Sequence, residues 1–444
     1  MKKLLTSCLA VVMLITLLGG CGEKTEKPAE TGQAQQTSEK GNKETGAAEK
    51  IKLKMTIFGS DNDEAVYRQR LDLVQKKYEN IEVELLYIPS EYATKVKTMF
   101  VSGEAPDILQ LSEDVHSYSA LGQIMALDDL VSKNGLDLGK RFGTAHQTYV
   151  YKDNLYALPD RGGAMIVYYN KDLFDKAGVS YPTKDWTWKD MLAAAQKLTV
   201  RNGEEVETYG FAAGDWWPWW LSFIYQNGGR ILDKDGKVVF NSPETVEALQ
   251  FYNDLVFKHK VAPSPQEYAD MGNPGPDPLF AQGKVAFEIT GFWNIGSLNN
   301  VPDLKYDIAP LWHQKESGTT AFGSGLAISQ NCKYPEVAYQ VIDFLTSVEG
   351  QMPIVEMKQD APVNIELLSS EKFLSAQFAS RAIDMNVFSE SADQIMDLPL
   401  GPYWNEMTEI CGNHLSELFN GQKEAAEVAE NIQADLEEMM KRYK

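Results

Sequence analysis

Four tryptophans fall within five positions of the run Asp215-Trp216-Trp217-Pro218-Trp219-Trp220. Indole offers a flat, rigid apolar face, the chemistry that stacks on the C–H face of a pyranose ring. At least two of the four are expected to be packing residues. A sugar also needs acceptors for its hydroxyls, and Asp61 and Asp114 lie in loops that follow apolar runs. A carboxylate can accept from two adjacent hydroxyls, and the charge-assisted bond is roughly twice as strong as a neutral one. Either residue equally fits a solvated loop charge or a helix cap.

Chemistry beyond binding has little support. The chain contains no GxSxG, P-loop, GxGxxG or HExxH motif, and His116, His146, His259, His313 and His414 are scattered. No catalytic residue, metal site or cofactor is therefore expected. Asp233-Lys234-Asp235-Gly236 reads as a tight turn, because the acidic spacing of a calcium loop is absent. A secreted glycosidase is the alternative, being equally rich in aromatics and carboxylates. No carboxylate pair for it stands out, and release of reducing ends would discriminate. A surface carbohydrate-binding protein without transport is a third reading.

These side chains need a frame. Residues 51–58 alternate apolar and polar and deliver the loop Gly59-Ser60-Asp61. Residues 63–80 have helical spacing through Val66, Leu71, Val74 and Tyr78; residues 81–88 are a second strand and 92–101 a second helix. A turn at 102–107 leads to a short buried strand ending at Leu111. Alternating strands and helices predict an α/β fold with a mostly parallel sheet. Ligands bind beyond the carboxyl ends of such strands, which singles out residues 59–61 and 111–114. Further on, 165–169, 286–289 and 322–328 read as strands, and 245–258 as a helix. Thr187 with Asp190 caps another helix. Residues 272–278 read as a Gly/Pro loop, and 425–443 as a packed terminal helix with Val428, Ile432, Leu436 and Met439 on one stripe.

Lys2 and Lys3 precede an apolar run from Leu4 to Leu18 that is shorter than the roughly 20 residues a spanning helix needs. Leu18-Gly19-Gly20-Cys21 resembles the bacterial lipobox. The resemblance implies a signal peptide over 1–20, cleavage before Cys21, and a diacylglycerol thioether on its sulfur. The protein would then sit lipid-anchored on the extracellular face of the cytoplasmic membrane, on the periplasmic side if the cell has an outer membrane. Residues 21–50 hold almost no large apolar side chain and read as a disordered tether, with a reach of roughly 30 Å. The formal net charge of −21 argues against nucleic acid, and against membrane contact other than through the lipid. Cys332 and Cys411 could pair in this oxidising location, but free, partly buried thiols are expected. The remaining residues exceed what one core organises, so two lobes are expected.

Several motifs in order carry a wider resemblance: Ser102-Gly103-Glu104-Ala105-Pro106-Asp107, Tyr168-Tyr169-Asn170-Lys171-Asp172-Leu173-Phe174, Asp185-Trp186-Thr187-Trp188, Gly283-Lys284-Val285-Ala286 with Gly291-Phe292-Trp293, Gly323-Ser324-Gly325-Leu326-Ala327-Ile328, and Phe344-Leu345-Thr346-Ser347. Together they resemble the sugar-type extracellular solute-binding proteins (family 1, maltose-binding-protein-like), which serve ABC importers. The resemblance implies a type II periplasmic-binding-protein-like fold, two α/β lobes joined by crossing strands with a ligand cleft between them. Lobe one would be 51–161 and 324–368, and lobe two 162–323 and 369–444. Crossings would lie near 159–163, 323–325 and 368–371. It further implies carbohydrate as ligand, permease subunits as partners, a monomer, and no enzyme activity. Trp216 and Trp217 lie nearest its sugar-stacking aromatic, while Trp293 and Trp404 match two binding tryptophans. Asp160 and Arg161 would line the cleft floor at the first crossing. Trp186 and Trp188 would be packing residues. Leu111 stands where the family's maltose binder has an aromatic, which implies a different ring arrangement and a different sugar.

Overall fold

The computed structural model describes residues 50–443 apart from 204, 213, 299, 376–382 and 393; the signal, the tether and Cys21 lie outside the described residues. In chain order the strands are β1 (Ile51–Ile57), β2 (Ile81–Tyr87), β3 (Ile108–Leu111), β4 (Val150–Tyr151), β5 (Asn154–Leu155), β6 (Ala157–Ala164), β7 (Ile166–Asn170), β8 (Val200–Asn202), β9 (Glu205–Phe211), β10 (Val285–Thr290), β11 (Tyr306–Ala309) and β12 (Ala321–Ile328). Two five-stranded sheets result, ordered β2-β1-β3-β12-β6 and β11-β7-β10-β9-β8. Each anchors one lobe of a mixed α/β molecule.

The first sheet begins parallel, with β1 flanked by β2 and β3, but β12 runs antiparallel to both β3 and β6. In the second sheet β9 with β10 is the parallel pairing, and β7 with β10, β7 with β11 and β8 with β9 are antiparallel. The mostly parallel expectation therefore holds for the opening strands, and in the second sheet for β9 with β10 alone. Strands entering or leaving through the crossing run against their neighbours, which mixes the sheets.

Local chemistry explains the elements next to the cleft. Ser60 caps the helix Asp61–Lys77, and Asp63 closes the capping box. That helix buries Val66, Tyr67, Arg70, Leu71 and Val74. Thr187 and Asp190 form the second expected box, at the start of the helix Trp188–Leu198. The stretch expected as a Gly/Pro loop contains the start of a short helix, Pro276–Ala281. Proline at its first turn costs no hydrogen bond and presets φ, so the helix begins where periodicity alone suggests a loop.

Among the described residues, the three larger of four apolar clusters hold the sheets. One joins Leu53, Ile57, Leu109, Leu158, Leu326 and Val341 around the first sheet. The second joins Val167, Phe211, Phe223, Phe287, Trp404 and Ile432 around the second sheet. The third packs Ile166, Tyr168 and Phe292 against Val355, Ala361, Leu367 and Phe373. The terminal helix Ala425–Met440 buries the expected stripe. Trp188 is buried and stacks on Phe251 at 4.5 Å, and Trp186 packs on Phe287. Cys411 is buried, Cys332 half-buried, and both are free thiols.

β6 and β12 form an antiparallel pair, from Ala321 opposite Ala164 to Ala327 opposite Ala157, with a bulge between Ser324 and Gly325; β6 runs on almost directly into β7 of the second sheet. Gly323 sits opposite Gly162, where a Cβ on Gly323 would lie 2.2 Å from the Arg161 carbonyl oxygen. Only glycine fits that approach. Pro362 forms a further bridge to Arg161 beside this pair.

Candidate functional site

The tryptophan run breaks at Pro218. Trp216 precedes the helix Trp217–Gln226 in extended conformation, and Pro218 stabilises the first turn. The break turns Trp216 outward to 39% exposure, while Trp220 is driven into the core. Trp216 lies 6.1 Å from Trp217, 5.8 Å from Trp219 and 6.3 Å from Trp293, ring centre to ring centre. Trp217 meets Trp404 edge-on at 5.2 Å. The structure thus unites Trp216, Trp217, Trp293 and Trp404, and adds Trp219, in one continuous set of indoles. Trp404 is 2% exposed, so it supports Trp217 from beneath. Trp293 follows β10 through Gly291 and folds back over it; a Cβ there would meet the indole at 1.5 Å. Trp219 is fixed by donating its N–H to the Ile289 carbonyl at 2.6 Å. A cavity of about 450 Å³ adjoins the run, walled by Asp215, Trp219, Tyr252, Tyr268 and Phe419.

The first sheet supplies carboxylates at two strand ends. Asp61 opens the helix after β1, is exposed, and accepts from the Tyr87 hydroxyl at 3.1 Å. Asp114 follows β3, is half-buried, and accepts from the Ser112 N–H at 2.9 Å. Burial pushes its carboxyl up to about 6. Burial likewise pushes the neighbouring Glu113 up to about 7, and the Asp114 charge adds to the effect. Three residues beyond Asp114, the Ser117 hydroxyl donates to the Pro402 carbonyl at 3.1 Å, two residues before Trp404. This hydrogen bond links the helix after the carboxylate loop to the segment that leads into Trp404.

Asp160 and Arg161 are committed to buried partners. Asp160 is fully buried, with Arg70 Nη2 2.5 Å from Oδ1 and the Tyr67 hydroxyl donating to Oδ2. Arg70 also donates to the carbonyls of Leu345 at 2.7 Å and Gly350 at 2.9 Å, tying helix, crossing strand and later chain together. With both oxygens committed and no exposed edge, Asp160 braces the crossing. Arg161 is 9% exposed, pairs with Asp63, and lies 4.0 Å from Asp360. Burial pushes Asp63 up, but Arg161 and the Ser60 hydrogen bonds outweigh it and hold the carboxyl below its usual range. Asp360, the second acid on that arginine, is pushed by burial up to about 6.

Glu113, Trp219 and Asp277, whose carboxylate receives the Trp293 indole N–H, are absent from the sequence-derived set. Glu113 had a signal, since it lies within the loop already singled out. Asp277 had none, lying sixteen residues before the tryptophan it meets. Among the described residues, no group of three or more His, Cys, Asp or Glu is placed to hold a metal, and no helix is long and apolar enough to cross a membrane.

The family model for bacterial extracellular solute-binding proteins matches residues 61–352. The chain is 26% identical to the arabinooligosaccharide-binding protein of Bacillus subtilis, covering 84% of this chain and 83% of that one. It is 23% identical to a maltooligosaccharide ABC transporter solute-binding lipoprotein of Streptococcus pneumoniae, covering 98% and 97%. An ABC substrate-binding protein from Listeria monocytogenes, solved in complex with cycloalternan, superposes with a TM-score of 0.81 at 26% identity, covering 88% of this chain and 99% of that one.

Proposed function

Because this chain belongs to the family of bacterial extracellular solute-binding proteins, we propose that it captures a sugar or oligosaccharide between its lobes and delivers it to the permease subunits of an ABC importer. The observation that carries the ligand class is the continuous indole set, in which Trp216, Trp217 and Trp293 meet as a candidate stacking surface and buried Trp404 supports Trp217. The family and the named relatives are binding proteins, in keeping with capture rather than turnover.

On this reading lobe one comprises 51–161 and 324–368, and lobe two 162–323 and 369–444. Indoles from lobe two stack on the sugar, and Asp61, Glu113 and Asp114 from lobe one accept from its hydroxyls. Ligand contacts to both lobes favour the closed arrangement, and closure reports occupancy to the importer. Cys21 carries the lipid that holds the monomer at the extracellular face of the membrane; Cys21→Ala is expected to move the protein from membrane to medium.

A thermal-shift screen of monosaccharides, arabino-oligosaccharides and malto-oligosaccharides tests the reading. A ligand at a hundred times its dissociation constant adds about 2.7 kcal/mol. Stabilisation by at least one sugar, with a smaller radius of gyration in solution scattering, is expected. No shift with any of them, or release of reducing ends, would overturn it.

A further inference from the structure

Behind Trp293 two carboxyl groups face each other. Asp277 is half-buried in the helix Pro276–Ala281, and Glu288 is fully buried in β10. Asp277 accepts from the Trp293 indole N–H and from the Thr290 hydroxyl, at 3.4 Å. Glu288 Oε1 accepts from Asn294 Nδ2 at 3.0 Å. That leaves Asp277 Oδ1 and Glu288 Oε2, both buried and neither given a partner by an N–H or hydroxyl of the described residues. Thr290 lies two residues from Glu288 on the same face of β10, so the hydrogen bond from its hydroxyl holds the Asp277 carboxyl on the Glu288 side of the strand, where a proton between the two acids would pair both orphaned oxygens.

The titratable groups around the pair are Tyr168 of β7 and Tyr268 of the helix Pro265–Asp270, with the acids Asp215 and Asp360 beyond them. No lysine, arginine or histidine of the described residues forms an ion pair with Asp277 or Glu288. Two touching carboxylates in a low-dielectric site cannot both be ionised. A bond between two acceptor oxygens exists only if a hydrogen lies between them.

We propose that Asp277 and Glu288 share one proton, and that the pair acts through the Trp293 N–H as the positioning residues of that indole. The importance of Trp293 for ligand rests on the function proposed above; the shared proton does not. Burial raises both acids, Glu288 well above the usual range, and the Asp277 charge adds to it. The two titrate together. For a folded-state pKa above the unfolded one, the stabilisation is complete below the unfolded value of 4.5 and is lost as pH rises through the raised value. At that point hydroxide removes the proton, two adjacent anions push apart, and the anchor of Trp293 loosens.

The test uses the mature chain without ligand. Infrared spectra are expected to show a carboxylic-acid C=O band that persists at alkaline pH, after Glu113, Asp114 and Asp360 have ionised, and that is lost completely in Glu288→Gln. In parallel, the indole N–H resonance of Trp293, assigned through Trp293→Phe, is expected to shift as that band disappears. It should stay fixed over the same range in Glu288→Gln, whose carboxamide supplies the bridging hydrogen permanently. An unchanged band in Glu288→Gln, or the same titration of the resonance in both proteins, overturns the proposal. If Glu288→Gln fails to fold, absence of the persistent band from the unsubstituted protein overturns it equally. Should no sugar bind while these results hold, the transport reading falls and the shared proton stands.

Discussion

In lobe one the deeply buried acids meet arginines: Asp160 with Arg70, and Asp63 with Arg161. In lobe two Asp277 and Glu288 meet each other. The difference fixes opposite responses to pH. The arginine partner lowers Asp63, so its stabilisation is present above the unfolded value of 3.8 and is lost as pH falls through the lower folded value. The acid pair is raised, so its contribution is lost on the alkaline side. The Asp63–Arg161 pair should weaken first in acid, and the tryptophan support beside Asp277 and Glu288 first in base.

The largest effect that would break this contrast concerns the lobe-one clamp. Arg70→Ala strands Asp160 without a cation, and stability should fall by about 3–5 kcal/mol in chemical denaturation. Sugar affinity per folded molecule should hardly change. A large affinity loss without a stability loss would return Asp160 to the ligand and erase the distinction. Next come the indoles. Trp293→Ala and Trp404→Ala should each weaken sugar binding by about 1–3 kcal/mol in calorimetry. Trp404→Ala should also lower the melting temperature, because that ring is nearly buried. Unchanged affinity in both would remove lobe two's claim to the ligand.

Smaller effects sharpen the comparison. Asp63→Asn should flatten the acid limb of the stability curve, by on the order of 1 kcal/mol, and leave the alkaline limb alone. Parallel limbs in the two proteins would show that Asp63 is not the acid-sensitive group. Asp61→Asn, at an exposed helix start, should change stability by less than about 0.5 kcal/mol. A larger cost would mean that the Tyr87 hydrogen bond holds more than a surface side chain.

Much of the fold was legible because it is written locally. The capping boxes at Ser60 and Thr187, the alternation in β1 and β2, and the terminal stripe of Val428, Ile432 and Leu436 each lie within a few neighbouring residues. The indole set was legible through the order of the motifs and the density of tryptophan. The commitment of Asp160 to a buried ion pair was not legible because its partner Arg70 lies ninety residues away, and no local pattern announces such a pair. Glu288 did leave a trace: a carboxylate inside the strand Val285–Thr290, where every position is buried. A charge at such a position asks for a partner, and here the partner sits across a Gly/Pro stretch that periodicity could not place.

The crossing of β6 and β12 has a mechanical consequence. A two-stranded ribbon is thin in one direction and braced in the other by its ladder of hydrogen bonds. Where Gly162 faces Gly323, no side chain stiffens it across its thin direction. Flexure about that line is cheap, whereas shear along the strands must break the ladder. The bulge between Ser324 and Gly325 adds local twist and gives the ribbon a resting curvature. The ribbon itself therefore has one soft direction and a preferred sense of bending.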